Sequence, residues 1–183
     1  MRRVLAVEGM ISEGEAGQLM ELAAAVPSGA CIVEVGSYRG RSTTALALAA
    51  NGAPVYAVEP HESFEGIYGG NFGPADRRAF FENLLKAGVV EKVRLVNLSA
   101  EVLREGWEQP VGLLWIDGDH TLEGVRRDFE AFEHSLQPDG VVAFHDVHDP
   151  EGGPAQLIGE LLAGGRYETL AEVERLVALR RLA

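Results

Sequence analysis

The stretch that decides the fold reads Ile32-Val33-Glu34-Val35-Gly36-Ser37-Tyr38-Arg39-Gly40-Arg41-Ser42. Its apolar first half predicts a short buried strand, and the Ala- and Leu-rich residues 41–50 predict a helix after it. Gly36 and Gly40 allow a tight turn and the close approach of backbone to a ligand. The chain has no GxGxxG, the pattern of dinucleotide-binding turns. The stretch is therefore either a ligand-binding turn of another kind or a plain strand-to-helix turn capped by Ser42.

The alternation of helix and apolar strand continues on both sides of this stretch. Ser12 and Glu15 have the spacing of a capping box, which predicts a helix over residues 13–26. An apolar stripe at helical spacing predicts another helix over 122–136, ended by a turn at 138–140. Further short apolar runs predict strands over residues 55–58, 93–96, 111–116 and 141–144. Continuously apolar strands that alternate with helices predict a parallel sheet covered on both faces.

The last two predicted strands form a different pattern. Residues 167–173 and 176–180 are separated only by Glu174 and Arg175. Because this connection is too short for a crossover helix, we expect the two strands to pair in an antiparallel hairpin. The expected fold class is therefore α/β, with a mostly parallel sheet that ends in an antiparallel pair.

Length and composition limit the class of protein. The 183 residues suggest one globular domain, with residues 1–28 as a helical segment packed on a main body over 29–183. A formal net charge of −12 without any Lys/Arg cluster argues against a nucleic-acid partner. No apolar run approaches the roughly 20 residues of a membrane span, and Glu8 interrupts the N-terminal apolar stretch, so we expect neither a membrane partner nor a signal peptide. The single cysteine, Cys31, fits a reducing compartment, and we expect a cytoplasmic protein.

The residues at the carboxyl ends of the strands are the functional candidates, because parallel α/β sheets bind ligands there. Glu59, followed by Pro60, ends the second strand, where an acid can accept the two hydroxyls of a ribose. The alternative is a solvated glutamate before a turn. Ser99 and Ala100 end the third strand, where a small polar turn can line an adenine edge or cap the next helix. Both ends suit a nucleoside without specifying which cofactor carries it.

The fourth and fifth strands end in acids and imidazoles. Asp117 and His120 follow the fourth strand, and His145 and Asp146 follow the fifth. Charged groups in such a place are costly to bury unless they are paired or bound to something. The pattern leaves open a divalent cation between Asp117 and Asp146, a hydrogen-bonded acid–base site without metal, and an ordinary surface cluster. His120 suits the removal of a proton from a hydroxyl, and its alternative role is to cap the start of a helix.

The order of these motifs resembles that of class I S-adenosylmethionine-dependent methyltransferases, over residues 30–182. Within them it is similar to the small-molecule O-methyltransferase branch, which includes macrocin-type sugar methyltransferases and, more distantly, catechol methyltransferases. The resemblance implies a single Rossmann-like domain over 29–183, whose seven-stranded sheet has the order 3-2-1-4-5-7-6 with strand 7 antiparallel. It implies contacts to S-adenosylmethionine from Glu34, Gly36, Ser37, Tyr38, Gly40, Ser42, Glu59, Pro60, Ser99, Ala100 and Asp117.

For catalysis, the resemblance implies that Asp117 lies beside the methionine moiety and that His120 is the general base. Metal-dependent relatives bind Mg²⁺ through acidic or amide ligands, at positions that correspond here to Asp117, His145 and Asp146. The imidazole is a departure, because Mg²⁺ prefers oxygen ligands, whereas Mn²⁺ or Fe²⁺ accepts nitrogen more readily. The resemblance thus leaves both the use of a divalent metal and its identity, Mg²⁺ or Mn²⁺, open.

The activity that the resemblance implies is O-methylation of a small hydroxylated acceptor. One alternative is a relative that binds the cofactor without transferring methyl groups, such as a regulatory sensor or a hydroxylase-like protein. Another is an oxidoreductase with a nucleotide cofactor, against which the missing GxGxxG argues. We expect the Gly-rich loops 66–73 and 149–154 to close over the acceptor. A homodimer is the assembly considered besides the monomer.

Overall fold

The computed structural model describes residues 1–65, 71–148 and 152–182, apart from the side chain of Phe64. The lid role expected for loops 66–73 and 149–154 therefore falls largely outside the described residues. Seven strands form the main sheet: β1 Cys31–Val35, β2 Val55–Val58, β3 Val93–Val96, β4 Val111–Ile116, β5 Leu136–Phe144, β6 Tyr167–Val173 and β7 Leu176–Arg181. A separate antiparallel ribbon pairs Phe64–Glu65 with Asn71–Phe72.

The strand order of the main sheet is β3-β2-β1-β4-β5-β7-β6. The first five strands are parallel, while β7 runs antiparallel to both of its neighbours, β5 and β6. The expected order 3-2-1-4-5-7-6 with strand 7 antiparallel is therefore confirmed. Chain reversal at the hairpin falls on Glu174, whose φ is +52°, as the short connection predicts.

Helices cover both faces of the sheet. They are α1 Arg2–Leu5, α2 Glu13–Ala24, α3 Arg41–Ala49, α4 Pro74–Ala87, α5 Ala100–Leu103, α6 Leu122–Phe132 and α7 Gly153–Ala163. Helices α1 to α4 pack on one face, and α5 to α7 on the other. Successive residues of β1 serve the two faces, since Ile32 belongs to the first apolar cluster and Val33 to the second.

The N-terminal residues share the apolar cluster of the main body. Val4 of α1 and Leu19 of α2 are fully buried beside Ile32 of β1. The capping box predicted for α2 is confirmed, because the Ser12 hydroxyl accepts the Glu15 N–H and the Glu15 carboxylate accepts the Ser12 N–H. Glu15 is 0% exposed, whereas a side chain that only caps a helix at the surface would face solvent.

The helix predicted over 122–136 is shorter in the structure. It ends at Phe132, residues 133–135 form a 3₁₀ turn, and Leu136 begins β5 opposite Val111. The turn predicted at 138–140 lies inside β5, at an irregularity in the pairing with β4. The helix was predicted too long because Leu136 continues the apolar stripe, whereas pairing with a distant strand decides its conformation.

No helix within the described ranges is both long and apolar enough to cross a bilayer. The prediction of a homodimer is not tested by a single chain and stays a prediction.

Candidate functional site

The turn after β1 brings two strand ends into contact. Gly36 has φ +84°, and a Cβ built there would lie 2.3 Å from the carbonyl oxygen of Asp117. Only glycine allows so close an approach in that conformation. The Asp117 N–H in turn donates to the Val35 carbonyl at 2.8 Å. Gly36 thus fixes the position of Asp117, at the end of β4, relative to the turn after β1.

The Glu59 carboxylate binds this turn through its backbone. Its Oε2 accepts the N–H groups of Ser37 and Tyr38, both at 3.2 Å, and its Oε1 accepts the His61 N–H at 3.0 Å. A carboxylate has about four acceptor positions, so these three bonds leave capacity for a further hydroxyl. Tyr38 and His61 both have positive φ, of 45° and 52°. The interpretation of Glu59 as a solvated residue before a turn does not fit these contacts.

Glu34 lies underneath the turn and is completely buried. The Thr43 hydroxyl donates to its Oε2, while its Oε1 has no hydrogen-bond partner among the described residues. Burial raises the pKa of Glu34 to about 8, although the hydroxyls of Ser42 and Thr43 oppose the shift. The alternative role of Ser42 as helix cap is wrong, because the N-cap of α3 is Gly40, in the left-handed conformation at φ +88°.

Two residues that the sequence did not single out connect the turn to the end of β3. The Asn97 amide donates to the Glu59 carbonyl at 2.6 Å and to the Pro60 carbonyl at 3.1 Å, and it contacts His61 Nδ1 at 3.2 Å. The other ring nitrogen of His61 lies 3.0 Å from the Tyr38 carbonyl. The sequence signal that could have identified Asn97 and His61 is their position next to the predicted strand ends.

Ser99 and Ala100 lie at the end of β3, beside Asn97. The Ser99 hydroxyl accepts the Val102 N–H at 3.5 Å and is the N-cap of α5. The capping role considered for Ser99 is therefore present. Ala100 is buried at the start of the same helix.

Three predicted residues converge at the ends of β4 and β5. Asp117, His120 and Asp146 offer donor atoms that all lie within 4.8 Å of one another. His120 lies between the two carboxylates, with Nε2 3.5 Å from Asp117 Oδ1 and Nδ1 3.4 Å from Asp146 Oδ2. The N-cap of α6 is Thr121, so the capping alternative for His120 is wrong.

His145 lies behind this group and is 1% exposed. Its Nδ1 is 3.1 Å from Asp117 Oδ1 and 3.5 Å from Asp146 Oδ2. Its Nε2 is 3.2 Å from Glu15 Oε1. Despite these short distances, neither His145 Nδ1 nor His120 Nε2 makes a well-aligned hydrogen bond within the described part of the chain. Two buried imidazole nitrogens are thus close to carboxylate oxygens without being satisfied by them.

The charges in this cluster shift one another strongly. Burial lowers the pKa of His145, but the facing Asp117, Asp146 and Glu15 outweigh burial and raise it to about 11. The nearby carboxylate of Asp117, with a smaller contribution from Asp146, likewise outweighs burial and raises the pKa of His120. Burial would raise the pKa of Asp146, yet His145 and Arg175 lower it to about 2. The pKa of Asp117 is also lowered, since His145 and His120 outweigh its burial.

A family model described as a methyltransferase domain matches residues 33–147. The matched segment covers more than half of the chain and runs from β1 to just past Asp146. The chain belongs to this methyltransferase family. The expected enzyme class, a class I S-adenosylmethionine-dependent methyltransferase, is confirmed, and the alternative of an oxidoreductase with a nucleotide cofactor is not supported.

Solved structures show the same fold. A putative caffeoyl-CoA O-methyltransferase from Staphylococcus aureus matches with a TM-score of 0.74 and 16% identity, over 98% of this chain and 88% of its own. The O-methyltransferase TomG from Streptomyces achromogenes, solved with SAM, matches with a TM-score of 0.73 and 17% identity, over 95% of this chain and 82% of its own. An O-methyltransferase from Bacillus cereus in complex with SAH matches with a TM-score of 0.71 and 20% identity, over 94% of this chain and 83% of its own.

Two further residues of this methyltransferase reach the cluster from distant parts of the chain. Arg175, in the β6–β7 turn, donates from Nη1 to Asp146 Oδ1 at 2.6 Å. Glu15, on α2, lies against His145. Sequence reasoning missed both roles, because Glu15 has a sufficient local explanation as a cap and Arg175 as a turn residue. No spacing pattern connects residues 130 positions apart, such as Glu15 and His145.

Proposed function

We propose that this methyltransferase transfers the methyl group of S-adenosylmethionine to a hydroxyl of a small acceptor, with His120 as the general base. The observation that carries the proposal is the position of His120 between Asp117 and Asp146, at the edge of the sheet where the turn after β1 ends. An imidazole between two carboxylates is stabilised when it takes up a proton. O-methyltransferases among the structures of similar fold support a hydroxyl acceptor.

The cofactor is expected in front of the turn after β1. Glu59 retains acceptor capacity for the ribose hydroxyls, and Gly36 and Gly40 leave the backbone free of side chains there. Glu34 lies beneath the turn, where the Thr43 hydroxyl donates to it, and its contact with the cofactor stays a prediction. The remaining contacts proposed are those of Ser37, Tyr38, Ser42, Pro60, Ser99, Ala100 and Asp117. SAM and SAH in similarly folded structures support this choice of cofactor.

The reaction proposed is a direct displacement. When bound, S-adenosylmethionine supplies a methyl group activated by its positively charged sulfur. His120 accepts the hydroxyl proton of the acceptor as the oxygen forms its bond to that methyl carbon and the carbon–sulfur bond breaks. Asp117 and Asp146 stabilise the imidazolium that results, and Arg175 keeps Asp146 in place. Alignment of the two reactants by the site contributes a large share of the rate, as in other two-substrate reactions.

We propose further that a divalent cation is held by Asp117 and Asp146 together with Nδ1 of His145. Nδ1 of His145 has no well-aligned hydrogen bond within the described residues, although it lies 3.1 Å from Asp117 Oδ1 and 3.5 Å from Asp146 Oδ2, and a nitrogen in this position beside two carboxylates suits a cation ligand. A mixed set of nitrogen and oxygen donors favours Mn²⁺ over Mg²⁺. Such a cation would lower the pKa of the acceptor hydroxyl.

The test is methyl transfer from labelled S-adenosylmethionine to a panel of catechols, phenols and sugars. The proposal expects transfer to at least one of them, loss of transfer in EDTA, and recovery with Mn²⁺. Asp146→Ala should remove the activity, whereas the exposed Glu123→Ala should not. Tight binding of S-adenosylhomocysteine without transfer to any acceptor would favour a non-methylating binding protein. Full activity in EDTA would exclude the cation but keep His120 as base.

A further inference from the structure

Glu15 is a carboxylate that the reaction above does not use, although it is completely buried at the edge of the catalytic cluster. It comes from α2, outside the segment matched by the family model. Burial of a charged group without partners is strongly unfavourable, so its contacts indicate what it does. These contacts are made to three different parts of the chain.

Both carboxylate oxygens of Glu15 are engaged. Oε2 accepts the Ser12 N–H at 2.7 Å, which closes the capping box. Oε1 accepts the Arg175 N–H at 3.0 Å and lies 3.2 Å from Nε2 of His145. One backbone N–H donor to each oxygen is the environment of an ionised carboxylate, which accepts and does not donate, and this favours a proton on His145 Nε2.

The orientation of His145 follows from this bond. With Nε2 next to Glu15, the other ring nitrogen, Nδ1, lies on the side of Asp117 and Asp146, 3.1 Å from Asp117 Oδ1 and 3.5 Å from Asp146 Oδ2. Histidines that bind metals commonly donate their other N–H to a carboxylate, which fixes the tautomer and the angle of the ring. The Trp115 ring packs against the imidazole in a T-shaped arrangement, with ring centroids 5.6 Å apart, and restricts it from the side.

The backbone around Glu15 is itself held closely. A Cβ built on Gly14 would lie 2.6 Å from Oε1 of Glu174, so the first turn of α2 packs directly on the β6–β7 turn. Arg175, in that turn, donates its backbone N–H to Glu15 and its Nη1 to Asp146. The first turn of α2 therefore holds His145, through Glu15, and the β6–β7 turn holds Asp146, through Arg175.

We propose that Glu15 is a positioning residue of the methyltransferase site: it accepts the Nε2 proton of His145 and so holds His145 Nδ1 toward Asp117 and Asp146. The assignment of Nδ1 as a cation ligand rests on the proposed function. The orientation of the ring does not, because it depends only on the contact between Glu15 and His145. Helix α2, which carries Glu15, is then part of the active site as well as of the apolar core.

The experiment compares Glu15→Gln with Glu13→Gln. Both substitutions remove one carboxylate from the first turn of α2, but Glu13 is exposed and Glu15 is buried. Imidazole ¹⁵N–¹H spectra should show a proton on His145 Nε2 in the wild type, and should show that resonance displaced in Glu15→Gln alone. Mn²⁺ affinity, followed by the EPR signal of free Mn²⁺, should weaken about 10–100-fold in Glu15→Gln and stay constant in Glu13→Gln.

The affinity for S-adenosylhomocysteine should be unchanged in both variants, which separates a local effect from general loss of structure. Ser12→Ala adds a second control, because it removes the hydroxyl cap and leaves the Ser12 N–H that binds Glu15. An unprotonated Nε2 in the wild type, or a His145 spectrum unaffected by Glu15→Gln, would overturn the proposal. Absence of Mn²⁺ binding by the wild type would instead refute the proposed cation site, while the spectra would still decide the role of Glu15.

Discussion

At the ends of β1 and β2, the carboxyl groups of Glu34 and Glu59 face neutral donors, whereas at the ends of β4 and β5 those of Asp117 and Asp146 face cations. Glu59 binds three backbone N–H groups and Glu34 binds the Thr43 hydroxyl. By contrast, Asp117 lies beside two imidazoles, and Asp146 lies between imidazoles and Arg175. The two sides of the site are thus stabilised by different interactions, although they meet at Gly36.

The difference matches the two roles proposed above, which are cofactor binding on the β1–β2–β3 side and proton removal on the β4–β5–β7 side. Recognition of a cofactor needs a fixed shape, and hydrogen bonds to backbone groups supply it with little dependence on salt. Removal of a proton needs groups whose charge can change, and these are the imidazoles of the other side. Substitutions on the cofactor side should therefore alter binding or stability, while those on the catalytic side should alter the rate.

The largest effect is expected from His120→Ala. Loss of a general base reduces the rate of the chemical step about 10²–10⁴-fold, and the affinity for S-adenosylhomocysteine should change little. The residual rate should rise with pH, because the acceptor then ionises without a base. Single-turnover methyl transfer and calorimetric titration of S-adenosylhomocysteine measure the two quantities.

The control is His134→Ala, which removes an exposed histidine just before the amino end of β5, whereas the site lies at the carboxyl ends of the strands. Unchanged single-turnover rates in His120→Ala at neutral pH would refute its role as base. An equal loss of rate and of cofactor affinity would show instead that the two sides of the site do not act separately.

The next effect concerns the pH dependence of stability on the cofactor side. The pKa of Glu34 is about 8 in the folded chain, against an ordinary value of 4.5, because the carboxyl is buried. Between these two pH values the unfolded chain loses the proton first, so the free energy of unfolding falls as the pH rises. The loss is about 3–5 kcal/mol above pH 8 and is absent below pH 4.5.

Glu34→Gln keeps an acceptor for Thr43 and removes this titration. Urea unfolding should give similar stabilities for the two proteins at pH 4.5, and a more stable variant at pH 9. If the difference between wild type and variant stays constant across this range, the folded-state pKa of Glu34 is not raised. All other titrating groups are common to both proteins and cancel in the comparison.

Much of the fold follows from local sequence. The bounds predicted for β2, β3 and β4 agree with the structure, because each is a short apolar run between strong breaks. The end of α6 was wrong, since the conformation of Leu136 depends on pairing with Val111. Local patterns thus predict strands that are short, mostly apolar runs. They do not predict where a helix ends when its next residue pairs with a distant strand.

The site divides in the same way. The ends of parallel strands share one edge, so sequence alone could bring Asp117, His120 and Asp146 together. The contact of Glu15 with His145 could not be predicted, because it joins residues 130 positions apart and Glu15 already has a local role as a cap. The hydrogen bonds from backbone N–H groups to Glu59 could not be predicted either, because almost every residue type supplies such a group.

The smallest effect, and the sharpest test of the cofactor side, is expected from Glu59→Ala. Charge-assisted hydrogen bonds contribute about 1.5–3 kcal/mol, so the affinity for S-adenosylhomocysteine should fall roughly 10–150-fold. Part of this loss comes from the ribose hydroxyls and part from the Ser37 and Tyr38 N–H groups that lose their acceptor. Glu59→Gln separates the two, because its single amide oxygen can still accept from the backbone.

The exposed Glu62→Ala removes a neighbouring carboxylate and serves as control in calorimetric titrations. Saturating cofactor should restore the single-turnover rate of Glu59→Ala, because the proton-transfer groups lie on the other side of Gly36. An unchanged affinity would place the ribose elsewhere. A rate that stays low at saturation would mean that the turn held by Glu59 also positions Asp117, through the packing of Gly36 on the Asp117 carbonyl, where a Cβ would lie only 2.3 Å from the oxygen.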